Sequence, residues 1–360
     1  MAVTMKDVAD LAGVSVKTVS NVVNDYVHVS ASMRSRVEES LAALGYRMNV
    51  SARNLRKQRT GMISLAVPEL ALPYFAELSA AVIKTAEAKG WTVVIEQTGA
   101  EWQREADILS GSRMRVSDGV LFAPSESWPG AGRDSQTDFP LVVLGEQVLN
   151  VPADYVTMDN VEASRAATAH LIQLGRRRIV ALGGSEEPAH STATRRLTGY
   201  YRAVHEAGLA VDPALVVTVN EWHRSTGAAA MARLLDDEVQ FDAVFALNDT
   251  LALGALFELR RRGLHIPNDV AVIGFDDIDD ARYCLPTLSS VDPGRSHLAE
   301  VAVERLLARI AGKHEGEFHR ITTESALIGR ESTGDACSAG QERVISVQPG
   351  RIDTISYLEE

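Results

Sequence analysis

Between Met62 and Ile273, short β-rich runs alternate with amphipathic helices, and that alternation leaves few folds open. Strands are expected at 62–67, 91–95, 120–122, 141–144, 178–182, 215–219, 243–247 and 270–273. Helices are expected at 74–89, 161–174, 194–207, 226–235 and 251–262, four of them closed by Gly90, Gly175, Gly208 and Gly263. Repeated strand–helix units of this length demand parallel strands with helices on both faces of the sheet. About ten strands on this rhythm are too many for one comfortable sheet, so the body divides into two doubly wound lobes. The break is expected near Asp159-Asn160. A hydrophobic fraction of 46% is ample for two such cores.

Open parallel sheets take ligands beyond the C-terminal ends of their strands, and two facing lobes would make a cleft there. The residues at those ends are Tyr74 and Phe75 after the first strand and His190, Thr192 and Arg196 after 178–182. Trp222, Asn248-Asp249 and Asp276-Asp277 follow later strands. Aromatic faces with Asn, Asp and Arg suit a small hydroxylated ligand such as a sugar. Each residue also has a plainer role open to it. Tyr74 and Phe75 could be an apolar helix start, Trp222 a core filler, Asn248 a helix cap and Arg196 the partner of a surface acid. The acidic run 276–280 could hold a metal or accept a phosphoryl group, but no lysine or second acidic strand end accompanies it. A loop cap is the expectation there.

Ahead of this body stand three short helices. Thr4 can cap the first, with Asp7 three residues on, Gly13 supplies the turn, and Ser15 can cap the second. Val8, Leu11, Val14, Val19 and Val22 are expected to share a small core. Val16, Lys17, Thr18, Ser20 and Asn21 then face outward. Ser30 precedes a third helix with a stripe of Met33, Val37, Leu41 and Leu44, ended by Gly45. A helix-turn-helix presents its second helix to the DNA major groove. Charge agrees. The chain carries −12 overall, but residues 1–60 hold nine Lys/Arg against five acids, a net of +4, leaving −16 for the rest. A basic head supplies phosphate attraction while the acidic body resists indiscriminate binding.

Several classes lack support. Two cysteines, Cys284 and Cys337, make neither a disulfide framework nor a metal spacing. No apolar leader or membrane-length run occurs, so a cytoplasmic location is expected. Gly183-Gly184-Ser185 is not a dinucleotide fingerprint, no Walker-type lysine motif occurs, and no nucleophile–base pair stands out. Neither an enzyme nor a cofactor is expected.

The ordered motifs resemble the lac-repressor (LacI/GalR-type) family of bacterial transcription regulators. They are Met5-Lys6-Asp7-Val8-Ala9, Gly13-Val14-Ser15, Thr18-Val19-Ser20, Val29-Ser30, Leu44-Gly45-Tyr46, Pro73-Tyr74-Phe75-Ala76-Glu77, Arg196-Leu197-Thr198-Gly199-Tyr200, Ala246-Leu247-Asn248-Asp249 and Val272-Ile273-Gly274-Phe275-Asp276-Asp277. The resemblance runs from Thr4 to about Ser332. It implies an α/β protein with a helix-turn-helix head (1–49), a hinge helix (50–60) and an effector core of two type I periplasmic-binding-protein-like lobes (61–332). Lobe 1 would comprise about 61–160 plus 291–322, and lobe 2 about 161–290 plus 323–332. The tail, 333–360, lies outside the pattern and has no leucine heptads for a tetramerising coil.

By the same resemblance, Val16, Lys17 and Asn21 select bases, although the family often has Arg at the third position. Thr4, Ser15, Thr18, Asn24, His28, Ser30, Tyr46 and Asn49 match phosphate-side or supporting contacts, and Met5 and Ser20 join the DNA-facing set. Ala52, Arg53 and Leu55 match the hinge helix, with Leu55 at the minor-groove wedge. That segment could equally be a basic linker that orders only on DNA. The effector positions are Tyr74, Phe75, His190, Thr192, Arg196, Trp222, Asn248 and Asp276. Gly145 stands where many relatives have a ligand-contacting Asp. The expectation is a homodimeric repressor that binds inverted operator half-sites under control of a small molecule, with a sugar first and a nucleoside second. A solute receptor of a transport system shares the cleft but leaves the basic head without a purpose.

Overall fold

Thr4 opens the first helix, α1 (Met5–Ala12), with a reciprocal cap. Its hydroxyl accepts from the Asp7 amide at 3.3 Å, and the Asp7 carboxylate accepts from the Thr4 amide at 2.8 Å. The bond from the Thr4 amide, with a further one from the Thr4 hydroxyl to the same carboxylate at 2.7 Å, holds the Asp7 carboxyl below its usual range. Gly13 takes a left-handed φ of 62°, where a side chain would be strained. The Ser15 hydroxyl then accepts from the Thr18 amide at 3.1 Å and starts α2 (Val16–Val23). A third helix, α3 (Ala31–Leu44), closes the head. Val8, Ala9, Ala12, Val19, Val22 and Val37 are its buried core. Leu11, expected in that core, is 55% exposed. At about 100° per residue, the arc of Val8, Ala9 and Ala12 leaves Leu11 roughly 110° from its centre.

The computed structural model describes residues 3–23, 26, 28–46, 59–111, 116–125, 137–145, 151–184, 191–313, 318–335 and 342–349. Contacts divide the chain into two compact units, Met1–Thr60 and Gly61–Glu360. The proposed hinge residues Ala52, Arg53 and Leu55 lie outside the described residues, as do Asn24, Asn49 and His190.

The second unit begins with β1 (Met62–Val67), α4 (Pro73–Ala88), β2 (Thr92–Gln97), α5 (Trp102–Leu109), β3 (Val120–Phe122), β4 (Leu141–Leu144) and β5 (Asp154–Met158). It continues with α6 (Asn160–Gln173), β6 (Ile179–Gly184), α7 (Thr192–Glu206), β7 (Val216–Thr218), α8 (Arg224–Asp236), β8 (Ala243–Ala246), α9 (Asp249–Arg261) and β9 (Ala271–Ile273). The last elements are α10 (Asp280–Tyr283), β10 (Ser290–Asp292), α11 (Arg295–Ile310), β11 (Arg320–Thr323), β12 (Ser325–Gly329) and β13 (Arg343–Val347).

Two parallel sheets form the lobes. One has the order β11-β5-β4-β3-β1-β2 and the other β7-β6-β8-β9. Their central strands are buried on both faces, which is why they read as unbroken apolar runs. Leu298, Ala302, Val303, Leu306 and Ile310 of α11 return the chain to the first sheet's core.

The alternating pattern did not show α5, β5 or the elements after β9. In β5, Asp154 reads as a turn residue but is wholly buried. Its carboxylate accepts from Arg305 at 2.9 Å, Arg309 at 2.9 Å and the His319 amide at 2.8 Å. These partners hold its pKa below the usual carboxylate range even though burial works against them. The tail also adds structure. Its strand β13 joins β12 in antiparallel register from Ser325↔Val347 to Gly329↔Arg343, completing a third sheet, β10-β12-β13.

Candidate functional site

A cavity of about 590 Å³ opens between the two parallel-sheet lobes, at the C-terminal ends of their strands. Every described effector candidate lines it: Tyr74, Phe75, Thr192, Arg196, Trp222, Asn248 and Asp276.

Tyr74 and Phe75 sit in the first turn of α4, where Pro73 pre-sets the helical φ. Their rings meet edge to face, with centroids 5.2 Å apart. Burial, then the nearby Asp276 charge, pushes the Tyr74 phenol up to about 12, so it remains a donor. Gln97, Ser125, Gly145 and Thr157 add uncharged groups to the first lobe's wall, and Glu69 adds a carboxylate that lies 3.5 Å from His223 Nε2 of the second lobe. Behind that wall, buried Glu105 accepts from the Ser125 amide at 2.9 Å and the Thr98 hydroxyl at 3.2 Å. Burial raises its carboxyl above the ordinary range.

Arg196 centres the second lobe's wall and is only 4% exposed. Its guanidinium donates to Asn160 Oδ1 at 2.8 Å, to the Leu247 carbonyl and to Asp276 Oδ1 at 3.4 Å. It also lies 3.5 Å from the Phe275 ring centroid and 5.5 Å from that of Trp222. Guanidinium planarity permits this forked bonding between rings. Trp222 donates from its indole nitrogen to the Gly183 carbonyl at 3.1 Å, and its own carbonyl accepts from Asn248 and Thr250. Asn248 also caps α9, its Oδ1 accepting from the Leu251 amide at 2.9 Å. Capping and cavity lining therefore coincide in one side chain.

Asp276 enters the cavity from a turn with left-handed backbone, φ 111° at Asp276 and 45° at Asp277. Burial raises the Asp276 pKa to about 6, against the pull of Arg196 and Arg295. The neighbouring carboxylates do not gather around a metal. Asp277 is bonded to Arg330 and Arg282, each at 2.6 Å, and no group of metal-ligating residues occurs among the described residues. Strand-end reasoning missed Asn160, Arg295 and Glu77. Arg295 donates to the Asp276 and Asp277 carbonyls and to Glu77 Oε2 at 2.6 Å. Because two of its acceptors are main-chain atoms, no side-chain motif announced it.

In the head, Ser15, Val16 and Lys17 are exposed, and Thr18, Ser20 and Asn21 are half-buried on the same short helix. Val16 is 45% exposed, an apolar side chain left open to a partner. Thr4, His28 and Ser30 are exposed, whereas Met5 and Tyr46 pack partly on the head core. Ser30 occupies the cap position of α3, but its side chain makes no capping bond.

Residues 4–49 match the family described as bacterial regulatory proteins, lacI family, and residues 168–333 match a periplasmic binding protein-like domain. The ribose operon repressor of Haemophilus influenzae is 33% identical over 329 residues, covering 91% of this chain and 98% of that protein. The solved transcriptional regulator CelR–cellobiose complex is 33% identical with a TM-score of 0.66, covering 92% of this chain and 99% of that one. The lac repressor dimer bound to operator and the anti-inducer ONPF is 26% identical with a TM-score of 0.77, over 92% and 99%. The head and the two-lobed core define a DNA-binding transcriptional regulator with an effector-binding domain. The chain belongs to the lacI family of bacterial regulatory proteins. Its relatives are repressors, and a transport receptor is not favoured.

Proposed function

We propose that this protein is a repressor whose operator affinity is set by a small hydroxylated molecule, a sugar, held in the 590 Å³ cavity. The carrying observation is the convergence of three aromatic rings with Arg196, Asn248 and Asp276 on one cavity in a chain that also bears a helix-turn-helix. Sugars offer apolar C–H faces for stacking and hydroxyls that need directed partners. The cellobiose complex of CelR, the relative described above, supports that ligand class. In the head, Val16, Lys17 and Asn21 read bases, while Thr4, Met5, Ser15, Thr18, Ser20, His28, Ser30 and Tyr46 position the backbone. Asn24, Asn49, Ala52, Arg53 and Leu55 belong to the same DNA-facing set, and His190 to the effector set. The cavity binds and releases without bond chemistry, and the protein works in the cytoplasm, where operator DNA is.

We further infer a homodimer. Phe257, Tyr283 and Leu285 are 65%, 79% and 72% exposed, and Arg260, a turn on from Phe257, donates to the Leu285 carbonyl. Large apolar side chains gathered in this way mark an association surface. A second copy on it would present two heads to inverted half-sites. Sedimentation of Phe257→Glu checks the dimer, with a monomer expected.

The functional test is fluorescence anisotropy on selected duplexes at fixed salt, with and without a panel of sugars, polyols and nucleosides. Expected is one duplex bound well above random competitor, with an affinity that a sugar changes by coupling of about 1–3 kcal/mol. Operator binding that no member of the panel alters would refute the effector reading.

A further inference from the structure

The match to the periplasmic binding protein-like domain ends at residue 333, yet a further strand, β13, is built onto β12. At its start, Glu342 closes a ring of four charges. Glu342 Oε1 accepts from Arg330 Nε at 2.7 Å and faces Arg282 Nε at 3.5 Å. The same two guanidiniums hold Asp277, Arg330 on Oδ1 and Arg282 on Oδ2, each at 2.6 Å. Carboxylate and guanidinium alternate around the ring, and its net charge is zero. Removing the Glu342 charge leaves one carboxylate between two cations, one of which, Arg330, is 3% exposed.

The opposite corner of this ring adjoins the cavity. Asp277 and Asp276 both have positive φ, a backbone state that is strained for L-residues and persists only when the surroundings hold it. Hydrogen bonds from several elements hold it. The Asp276 amide donates to Val291 O at 2.9 Å, the Asp277 amide to Ser290 Oγ at 3.0 Å and the Ile278 amide to Asp249 Oδ2 at 3.0 Å. Arg295 takes the two carbonyls on one side, and the charge ring takes the Asp277 side chain on the other.

We propose that Glu342, the residue that leads into the C-terminal strand, is a positioning residue for the cavity, acting through Arg330 and Arg282 on Asp277 to hold the strained turn that aims Asp276. Its effect on a ligand rests on the function proposed above, whereas its effect on the turn does not. The tail is thereby a working part of the sensor, because the turn is fully braced only with β13 in place. Arg343 makes a useful contrast. It bonds Asp335 at 3.1 Å and so anchors the strand without joining the ring.

The test is hydrogen exchange on the full-length protein and its Glu342→Gln, Glu342→Asp and Arg343→Gln variants, each checked for an unchanged thermal midpoint. Exchange at the 276–278 amides is expected to quicken roughly tenfold in Glu342→Gln, to recover in part in Glu342→Asp, and to stay at the wild-type rate in Arg343→Gln. Unchanged exchange at 276–278, acceleration confined to 343–347, or equal effects of Glu342→Gln and Arg343→Gln would each overturn the proposal. Cellobiose and D-ribose titrated calorimetrically into the same proteins separate the two claims. If either sugar binds the wild type, Glu342→Gln should weaken it several-fold, and an equal affinity would overturn the positioning role. If neither binds, the sugar reading suffers and the exchange result still decides the role of Glu342.

Discussion

Arg196→Met removes the guanidinium at the centre of the cavity wall and keeps much of its volume, and the resulting loss can be worked out group by group. The Leu247 carbonyl loses its charged donor inside the core, at about 1–3 kcal/mol. Asn160 lines the cavity but is only 3% exposed, and its Oδ1 loses a donor at about 1 kcal/mol. The contacts over Phe275 and Trp222 contribute about 1–2 kcal/mol when desolvated. The remaining term is Asp276, whose charge would be left with Arg295 alone. Its cost has a ceiling. A carboxyl with a pKa of about 6 can take up a proton at pH 7 for about 1.4 kcal/mol, and it will do so before it bears a larger penalty. The total is about 3–7 kcal/mol at pH 7.

That ceiling yields a sharper signature than the total. At pH 5 the wild-type Asp276 is already mostly protonated, because its folded pKa lies about a unit higher. The substitution then forfeits no ionisation energy there. Urea titrations of both proteins at pH 5 and pH 7 should therefore show a loss about 1.4 kcal/mol smaller at the acid value, with unchanged slopes. The wild-type Asp276 runs with buried Glu105 and opposite to the ion-paired Asp154. Because the Asp276 pKa is raised on folding, this group favours the folded state at low pH, and that preference declines as pH rises from the unfolded value toward about 6. A loss under about 1 kcal/mol, or one identical at both pH values, would refute the reasoning.

Asp154→Asn should cost about 3 kcal/mol, since it leaves Arg305 and Arg309 without their buried counter-charge. The wild-type Asp154 pKa is lowered, so its contribution is present above the ordinary carboxylate range and disappears as pH falls through the folded value; acid titration followed by circular dichroism should show the variant lacking that arm. Lys17→Ala should weaken selected-operator binding by about 1–3 kcal/mol in a filter-binding isotherm at fixed salt, and an unchanged isotherm would remove Lys17 from the base-reading set. Gly254→Ala should lower the thermal midpoint, because a Cβ there would lie 2.1 Å from the Arg224 carbonyl oxygen and force α8 off α9.

The parallel lobes were readable because strands such as Leu141–Leu144, buried on both faces, are continuous apolar runs between helices closed by glycine. The strand-end rule found the cavity lining for the same reason, since it depends on sheet topology and needs no side-chain detail. What stayed hidden depends on partners far along the chain. Asp154 looks like a turn until Arg305 and Arg309 are beside it. The apolar stripe of α11 is visible at helical spacing, but nothing local says that it covers the first sheet. Arg295 grips carbonyls, which every residue has, so its role has no residue-type signature. The tail carries no leucine heptad, and β13 takes its place through main-chain pairing with β12 and the charges of Glu342 and Arg343.

The arrangement also explains how occupancy of the cavity can reach the rest of the core. The chain passes between the lobes three times, at the ends of β5, β10 and β11, and the ligand-facing charges are fastened at or beside each passage. Arg196 is bonded to Asn160, two residues past β5. The Asp276–Asp277 turn is held by Arg295, three residues past β10, which also bonds Glu77 on α4 of the first lobe. At the third passage the Thr323 hydroxyl, at the end of β11, donates to the carbonyl of the cavity residue Thr157 at 3.1 Å. On the proposed function, a molecule that pulls on Arg196 and Asp276 would act on groups already joined to the connections between the lobes. Close-packed interiors shift between discrete arrangements more readily than they deform gradually. On the function proposed above, a ligand that displaces these few side chains would select one lobe arrangement over another.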